Sequence, residues 1–514
     1  MRLTNTLTGQ VEEFVPVTPG RVSLYVCGVT PYQAAHVGHA MSLMVYDVLV
    51  RYLRWPGNPR GGETVVFASN YTDVDDKLID GAREQDVDPL DLAVRNIEQW
   101  EQEQVLLSLT LPDERPRATQ EIEGITQMIE EIIANDLAYP TPSGDVYFRV
   151  RAKQDYGKLS HRNIDQLRRG TRFEPGEEKE FALDFALWKA AKPGEPAWDS
   201  PWGLGRPGWH IECSAMARRY LGERFDIHGG GLDLVFPHHE NEIAQAEAAA
   251  DTPAEGGSAP VFANVWMHNG LVTRDGVKMS KSIGNVVSVE DALDRWGPDP
   301  IRLFVLNSHY RASNNLTDEA MAAATAGIER LTAALRAPDP AASPSDPTPS
   351  PIEGEGGGGV PSGSASPIDL PAARRRFIEA MEDDLSTPTA LAGLFDLARA
   401  INRARDVGAA IEDAQALLRE LAGVLGLTLA DPAEDAAAVE ALLDAVVLSK
   451  LAARLDISCG GTDAAGTIES LIAARADARA ARNFPRADEI RDALATLGVS
   501  LEDGPQGTRW SVRR

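Results

Sequence analysis

At 514 residues the chain is too long for one hydrophobic core, so about three or four domains are expected. Its 43% apolar and 25% charged residues are those of an ordinary globular protein. A net charge of −27 excludes a protein that coats nucleic acid without specificity. No run of apolar residues is long enough to span a membrane, and MRLTNTLTGQ has no secretion-signal core. Three scattered cysteines, Cys27, Cys213 and Cys459, exclude a disulfide framework and fit a reducing cytoplasm.

In chain order, VSLYVC (22–27) reads as a short strand stopping at Gly28. From about Ala40 the pattern AMSLMVYDVLVRYLRW is helical, and TVVFA (64–68) is a second strand. Strand, loop, helix, strand opens a parallel α/β sheet, whose ligands lie at the carboxyl ends of the strands. That places Cys27, the loop after it and Asn70 to Asp73 at the site. Residues 88–137 look helical. Residues 145–207 are irregular, with short strands and Pro, Gly and Trp punctuation, part of an insertion over about 110–207. The sheet resumes at Phe225–His228 and Val261–His268, and after Ile301 nearly everything is helical. The Pro/Gly/Ser-rich stretch Ala337–Pro371 cannot bury a core and reads as a disordered loop, with helices resuming at Ala372. A break near 456–466 precedes a small C-terminal module.

Local charge differs from the global value. Residues 151–172 hold seven Lys/Arg against two Asp, and Arg475, Arg479, Arg482 and Arg486 recur at helical spacing on one expected face. Such stripes are usually solvated faces; they permit an RNA partner without requiring one.

His36-Val37-Gly38-His39 falls where the first strand gives way to the first helix. A helix N-terminus attracts anions, Gly38 lets a ligand approach the backbone, and two imidazoles can donate to phosphate oxygens. Alone, this pattern fits ordinary surface histidines as well. Lys278-Met279-Ser280-Lys281-Ser282 lies in a polar loop between Gly276 and Gly284, and its lysines and hydroxyls can clasp a triphosphate. Gly229, Gly230 and Gly231, after the strand ending at His228, offer a flat backbone on which a nucleotide or ribose can rest. Cys27, Cys213, His238 and Glu242 are a plausible tetrahedral zinc shell, with His238 and Glu242 four residues apart on one helical face. His239 rivals His238, and sequence alone does not separate them.

The ordered pair HVGH and KMSKS resembles the signatures of class I aminoacyl-tRNA synthetases. The resemblance implies a Rossmann-type α/β catalytic domain over 1–300, with signature loop 278–282. A helical bundle over 301–455, carrying the insertion 337–371, and a C-terminal anticodon-binding module over 456–514 would follow. It implies adenylation of an amino acid by ATP with Mg²⁺, with His36, His39, Lys278 and Lys281 as catalytic residues. YVCGVTPYQAAHVGHA, NYTDVDDKLID, GWHIECSAM, FDIHGGGLDLVFPHHENEIAQ and KMSKSIGN narrow the resemblance to the cysteinyl-tRNA synthetase family. That family pattern carries ligation of one Zn²⁺ onto Cys27, Cys213, His238 and Glu242. It carries cysteine contacts onto Gly28, Thr72, Trp209 and His228, and the ATP site onto His36, Gly38, His39, Gly229–Gly231 and 278–282. Arg479, Phe484, Asp488 and Asp503 become candidate readers of the tRNA(Cys) anticodon, and the basic segment 151–172 a candidate for the acceptor stem. A cytoplasmic monomer acting on L-cysteine, ATP and tRNA is the expectation. The rivals are a ligase joining cysteine to an amino sugar, which would not need the C-terminal module, and a non-catalytic RNA-binding relative.

Overall fold

The computed structural model describes residues 1–163, 178–250, 262–279, 283–336 and 368–429, and from 448 onward chiefly 464–481, 483–497, 499–504 and 507–512. The strand expected at 22–27 spans Arg21–Val29 (β3), after a small hairpin of Arg2–Asn5 (β1) and Gln10–Glu13 (β2). Val22, Leu24 and Val26 are buried, as is Tyr25, so β3 is covered on both faces as a central parallel strand should be. The first helix starts earlier than its apolar pattern, at Val37, and runs to Arg54 (α1) because the imidazole of His36 caps it. It stops at Trp55, the residue before Pro56, where the α region is disfavoured.

Thr64–Tyr71 (β4) lies beside β3, and Asp76–Gln85 (α2) and Pro89–Leu106 (α3) follow. The expected helical run over 88–137 is interrupted. After α3 the chain crosses to β4, pairing Glu114 with Ala68 and Arg117 with Tyr71, before Ile122–Ala134 (α4) begins. The segment expected to be irregular is better ordered than composition suggested. Ala138–Pro140 (β5), Val146–Phe148 (β6), Phe185–Ala190 (β7) and Gly205–Pro207 (β8) form a four-stranded antiparallel sheet. Their apolar residues Val146, Phe148, Leu187 and Trp188 close over Ile125, Met128, Ile129 and Ile132 of α4. Strands of three residues are too short for alternation to show in the sequence.

Trp209–Leu221 (α5) leads back to the main sheet at Phe225–Gly231 (β9), then Glu240–Ala249 (α6) and Ala263–Asn269 (β10). The sheet order is β10-β9-β3-β4, all parallel. The chain winds from β3 outward to β4 and later returns on the other side to β9, so the winding reverses between β3 and β9. A crevice opens at the carboxyl ends of such a pair, and here those ends are Cys27–Val29 and Gly229–Gly231.

Val272–Arg274 (β11), Val277–Lys278 (β12) and Asn314–Leu316 (β13) make a small sheet, so the region after Ile301 is not wholly helical. Val289–Trp296 (α7), Pro298–Leu306 (α8), Asp318–Leu335 (α9), Leu370–Glu382 (α10), Thr387–Asp406 (α11) and Glu412–Val424 (α12) complete this part. Helix resumes at Leu370, two residues before Ala372, because Asp369 caps it and Pro371 is tolerated in a first turn. Residues 337–367, most of the segment expected to be a disordered loop, lie outside the described residues.

Two compact units result: residues 1–292 with 298–428, and residues 293–297 with 429–514. The second contains Ala464–Ala480 (α13), Phe484–Thr496 (α14) and the hairpin Val499–Gly504 (β14) with Gly507–Val512 (β15). Its core joins Leu448, Leu451, Ile468, Leu471, Ile490 and Leu494. The arginine stripe expected on one helical face is split: Arg475 and Arg479 lie on α13, Arg486 on α14, and Arg482 is outside the described residues.

Candidate active site

Cys27 and Gly28 sit near the end of β3. Gly28 is required by space, because a Cβ there would lie 1.6 Å from the carbonyl oxygen of Asn70. The Gly28 amide donates to Asn70 Oδ1 at 2.9 Å, and Asn70 Nδ2 donates to Thr72 Oγ1 at 3.3 Å. Asn70 Oδ1 also lies 3.7 Å from the Cys213 sulfur. One buried amide therefore joins three of the candidate residues.

Cys213 arrives on α5, only 1% exposed, and Glu242 on α6, fully buried. The Cys27 thiol donates to Glu242 Oε1 at 3.2 Å, and His238 Nε2 lies 3.0 Å from the same oxygen. The ligand atoms of Cys27, Cys213, His238 and Glu242 all lie within 4.8 Å of one another. Four donors drawn from three separate segments thus converge without a CxxC motif. Burial pushes the Cys27 thiol up, whereas the hydrogen bond from Cys27 brings Cys213 down to about 7. Burial opposes charge on Glu242 and His238, but His228 and His238 hold Glu242 well below the usual carboxylate range. Glu242 and Cys213 in turn hold His238 up at about 10. The set is thus a compact group of anions and soft donors, the chemistry of a divalent-metal site.

The rivalry between the adjacent histidines acquires a geometric basis. His238 Nδ1 is 2.8 Å from His210 Nδ1, which orients the ring and leaves Nε2 toward the thiols. His239 Nδ1 is 2.8 Å from His268 Nε2, and its Nε2 is 3.9 Å from Glu242. A second grouping of Cys27, His228, His239 and Glu242 also falls within 4.8 Å. It holds one thiol rather than two, and His228 Nε2 already meets Glu242 Oε2 at 2.9 Å. Trp209 stacks on His238 with ring centroids 4.4 Å apart, which puts the indole over the cluster.

Sequence reasoning passed over Asn70, His210 and Glu212. Asn70 stood in a recognised segment, but an amide gives no motif signal. Glu212 is fully buried, and neither carboxyl oxygen has a partner in hydrogen-bonding geometry. Burial, then Cys213, Asp75 and Asp73, hold its carboxyl well above the usual range; the nearby Thr72 hydroxyl opposes the shift.

HVGH forms the start of α1 and supplies its cap. His36 Nδ1 accepts from the Gly38 amide at 3.1 Å, and His39 Nδ1 accepts from the His36 amide at 3.3 Å. The two rings stack 3.8 Å apart. With each Nδ1 accepting, each neutral ring carries its proton on Nε2. Burial lowers both, His39 to about 3 with His36 adding to the effect, so the pair is uncharged at neutral pH. The chain just after the signature loop returns to this point: the Val37 amide donates to Val287 O at 3.1 Å and the Val289 amide to Ala35 O at 3.0 Å. Lys278 Nζ is 3.8 Å from Asp233 Oδ2. Ser280, Lys281 and Ser282 lie outside the described residues.

The glycine run does more than provide a flat surface. Gly229–Gly231 continue β9 instead of following it, and a Cβ on Gly229 would come 2.4 Å from the Tyr46 ring. One on Gly230 would come 2.7 Å from His239. Tyr46 of α1 accepts from the Gly230 amide at 2.6 Å and donates toward Met267 O at 2.8 Å. Two of the glycines therefore make room for protein side chains.

In the C-terminal unit, Phe484 opens α14 and is 58% exposed, and Asp488 pairs with Arg491 at 3.0 Å. Arg479 is exposed on α13; Asp503 lies in β14, its side chain outside the described residues. Of the basic segment, Lys153 and Lys158 both pair with Glu247, at 2.8 and 2.6 Å. Residues 164–172 are not described.

A parallel sheet that opens strand, HVGH, helix and brings the chain after KMSKS back to that helix start is the catalytic architecture of class I aminoacyl-tRNA synthetases. The model for the tRNA synthetases class I (C) catalytic domain matches residues 13–326, a DALR domain 376–430, and the cysteinyl-tRNA ligase anticodon binding domain 462–510. The cysteine–tRNA ligase of Halorhodospira halophila is 47% identical over the whole of both chains, and that of Dehalococcoides mccartyi 44%. Among solved structures, Mycobacterium tuberculosis methionyl-tRNA synthetase with methionyl-adenylate superposes with a TM-score of 0.52 at 17% identity, over 79% of this chain and 88% of that one. The chain belongs to the cysteine–tRNA ligase family. The anticodon-binding match disfavours a cysteine ligase acting on an amino sugar, and full-length similarity to ligases disfavours a non-catalytic relative.

Proposed function

We propose that Cys27, Cys213, His238 and Glu242 hold one zinc ion that selects L-cysteine by its sulfur, in a cytoplasmic enzyme that adenylates cysteine and transfers it to tRNA(Cys). The convergence of two thiols, one imidazole and one carboxylate within 4.8 Å carries this reading. Cysteine and serine differ by one atom, and neither shape nor hydrogen bonding separates such a pair well. Bound zinc would prefer a thiolate to a hydroxyl and lower the thiol's pKa. His210 fixes the ring of His238, and Asn70 links the backbone at Gly28 to Thr72. Trp209 walls the amino-acid pocket, and His228 orients Glu242.

ATP, with Mg²⁺, occupies the crevice at the start of α1. There the substrate carboxylate attacks the α-phosphate and pyrophosphate departs. His36 and His39 act as neutral donors through Nε2, with their Nδ1 atoms committed to the backbone. Neutral donors stabilise charge developing on phosphate oxygens while remaining fixed by the helix cap. Lys278 and Lys281 supply the positive charge from the signature loop. Two free buried or half-buried thiols at the site suit a reducing cytoplasm.

The test joins metal content to cysteine-dependent ATP–pyrophosphate exchange. In Cys213→Ser, zinc should fall to a small fraction of one per chain, and exchange should fall by at least ~100-fold, the upper range for disturbing a metal shell. Full exchange in a metal-free variant, or serine used as readily as cysteine by the unmodified enzyme, removes the zinc reading.

A further inference from the structure

We infer that Glu212 is the residue that receives the α-ammonium group of the cysteine substrate, an assignment that rests on the functional reading above. Glu212 precedes Cys213 on α5, is fully buried, and has both carboxyl oxygens without a hydrogen-bond partner among the described residues. A carboxylate withdrawn from water in this condition is costly unless a cation or a donor meets it. The neighbouring acids at the carboxyl end of β4 are already engaged. Asp73 accepts from the Thr119 amide at 2.9 Å and its hydroxyl at 2.6 Å, and Asp75 accepts from the Lys77 amide at 2.9 Å. Among these three carboxylates only Glu212 has both oxygens open.

Its position matches the substrate's shape. Sulfur held by the Cys27, Cys213, His238 and Glu242 cluster fixes one end of cysteine, and the carboxylate must point toward the phosphate at HVGH. The ammonium then needs an anion beside the sulfur site and away from the nucleotide. Cys213 touches Asn70, Asn70 touches Thr72, and Thr72 lies next to Glu212, so the polar run from the sulfur site leads to this carboxylate. An ammonium brings three donors, enough to meet Glu212 and the Thr72 hydroxyl together.

The experiment compares L-cysteine with 3-mercaptopropionate, which keeps thiol and carboxylate but lacks the amine, on the zinc-loaded full chain. Exchange gives KM for cysteine, and competition gives the inhibition constant for the analogue. In Glu212→Gln, KM for cysteine should rise roughly 10- to 100-fold, the effect of losing one charge-assisted hydrogen bond. The inhibition constant of 3-mercaptopropionate should stay within about 2-fold, a change too small for a lost hydrogen bond. Zinc content should also be unchanged. A purely structural role would weaken both ligands together and overturn the assignment, as would an unaltered preference for cysteine. Glu212→Asp, which keeps the charge, should recover part of the cysteine affinity if the glutamine variant is poorly folded, and no recovery there counts against the assignment. If the unmodified enzyme shows no cysteine-dependent exchange, the functional reading falls first and this assignment with it. If it exchanges normally and Glu212→Gln keeps the wild-type ratio, the assignment alone falls.

Discussion

His39 shows how one side chain is set by two demands. Its Nδ1 closes the cap of α1, and burial holds its imidazole down at about 3, far below the ordinary value of 6.5. Between those values the unfolded chain binds a proton that the folded one refuses. The stability tied to neutral His39 is therefore complete above pH 6.5 and is lost as pH falls toward 3. Going from pH 7 to pH 5 the loss is at most ~2 kcal/mol, since part of the ring still meets solvent. His39→Asn keeps a hydrogen-bond acceptor for the cap and cannot titrate. Urea unfolding at the two pH values should show a smaller drop for the variant than for the unmodified chain; equal drops would mean that His39 takes up its proton in the folded state. At this scale the sequence was informative where chemistry needs rare residues. Two cysteines, a histidine and a glutamate could be picked out as a candidate ligand set, and the structure brings them together, but nothing in the sequence ranked His238 against His239. Both rings have Nδ1 engaged, by His210 and by His268, and they differ in how near Nε2 comes to Glu242, 3.0 Å for His238 against 3.9 Å for His239, a distance no pattern in the sequence encodes.

Between elements, the position of α1 depends on a buried charge. Asp47 and Arg302 are both withdrawn from water, with Nη1 2.5 Å from Oδ2. Arg302 also donates to the carbonyls of Leu107, Ser108 and Leu425, and the Thr110 amide donates to Asp47. The pair thereby joins α1 to α8, to the end of α3 and to the end of α12. Burial opposes ionisation of Asp47, yet Arg302 and Arg51 hold it below the usual carboxylate range. Asp47→Asn leaves the guanidinium buried without its counter-charge and should cost about 3–5 kcal/mol. Arg302→Met should cost a similar amount, and the double variant should cost clearly less than the sum, as read from urea midpoints. Strict additivity would show the two residues to be independent. None of this was readable from pattern, because Asp47 stands in an apolar helical run and Arg302 lies far along the chain. The helices and parallel strands themselves were legible, since each buries a face long enough to show its period. The antiparallel sheet over 138–207 was not, its strands of three to six residues carrying too few alternations.

At the scale of the whole chain, a net charge of −27 meets a polyanionic RNA. Long-range attraction cannot supply the affinity, so recognition must come from local contacts that tolerate an acidic background. Base stacking is such a contact, because it is short-ranged and independent of net charge. Phe484 suits it, since its side chain is 58% exposed at the start of α14. A large apolar ring in that position adds little to folding, so Phe484→Ala should unfold in urea as the unmodified chain does. Its KM for tRNA(Cys) in charging should rise roughly 5- to 100-fold, the range for one lost stacked base. Exchange without tRNA should keep its rate, because the proposed adenylation draws on the crevice between β3 and β9 and the signature loop and on nothing in the C-terminal module. Parallel loss of exchange would mean that the residue supports the fold instead of the RNA, and an unchanged KM would move the stacking role elsewhere in the 462–510 module.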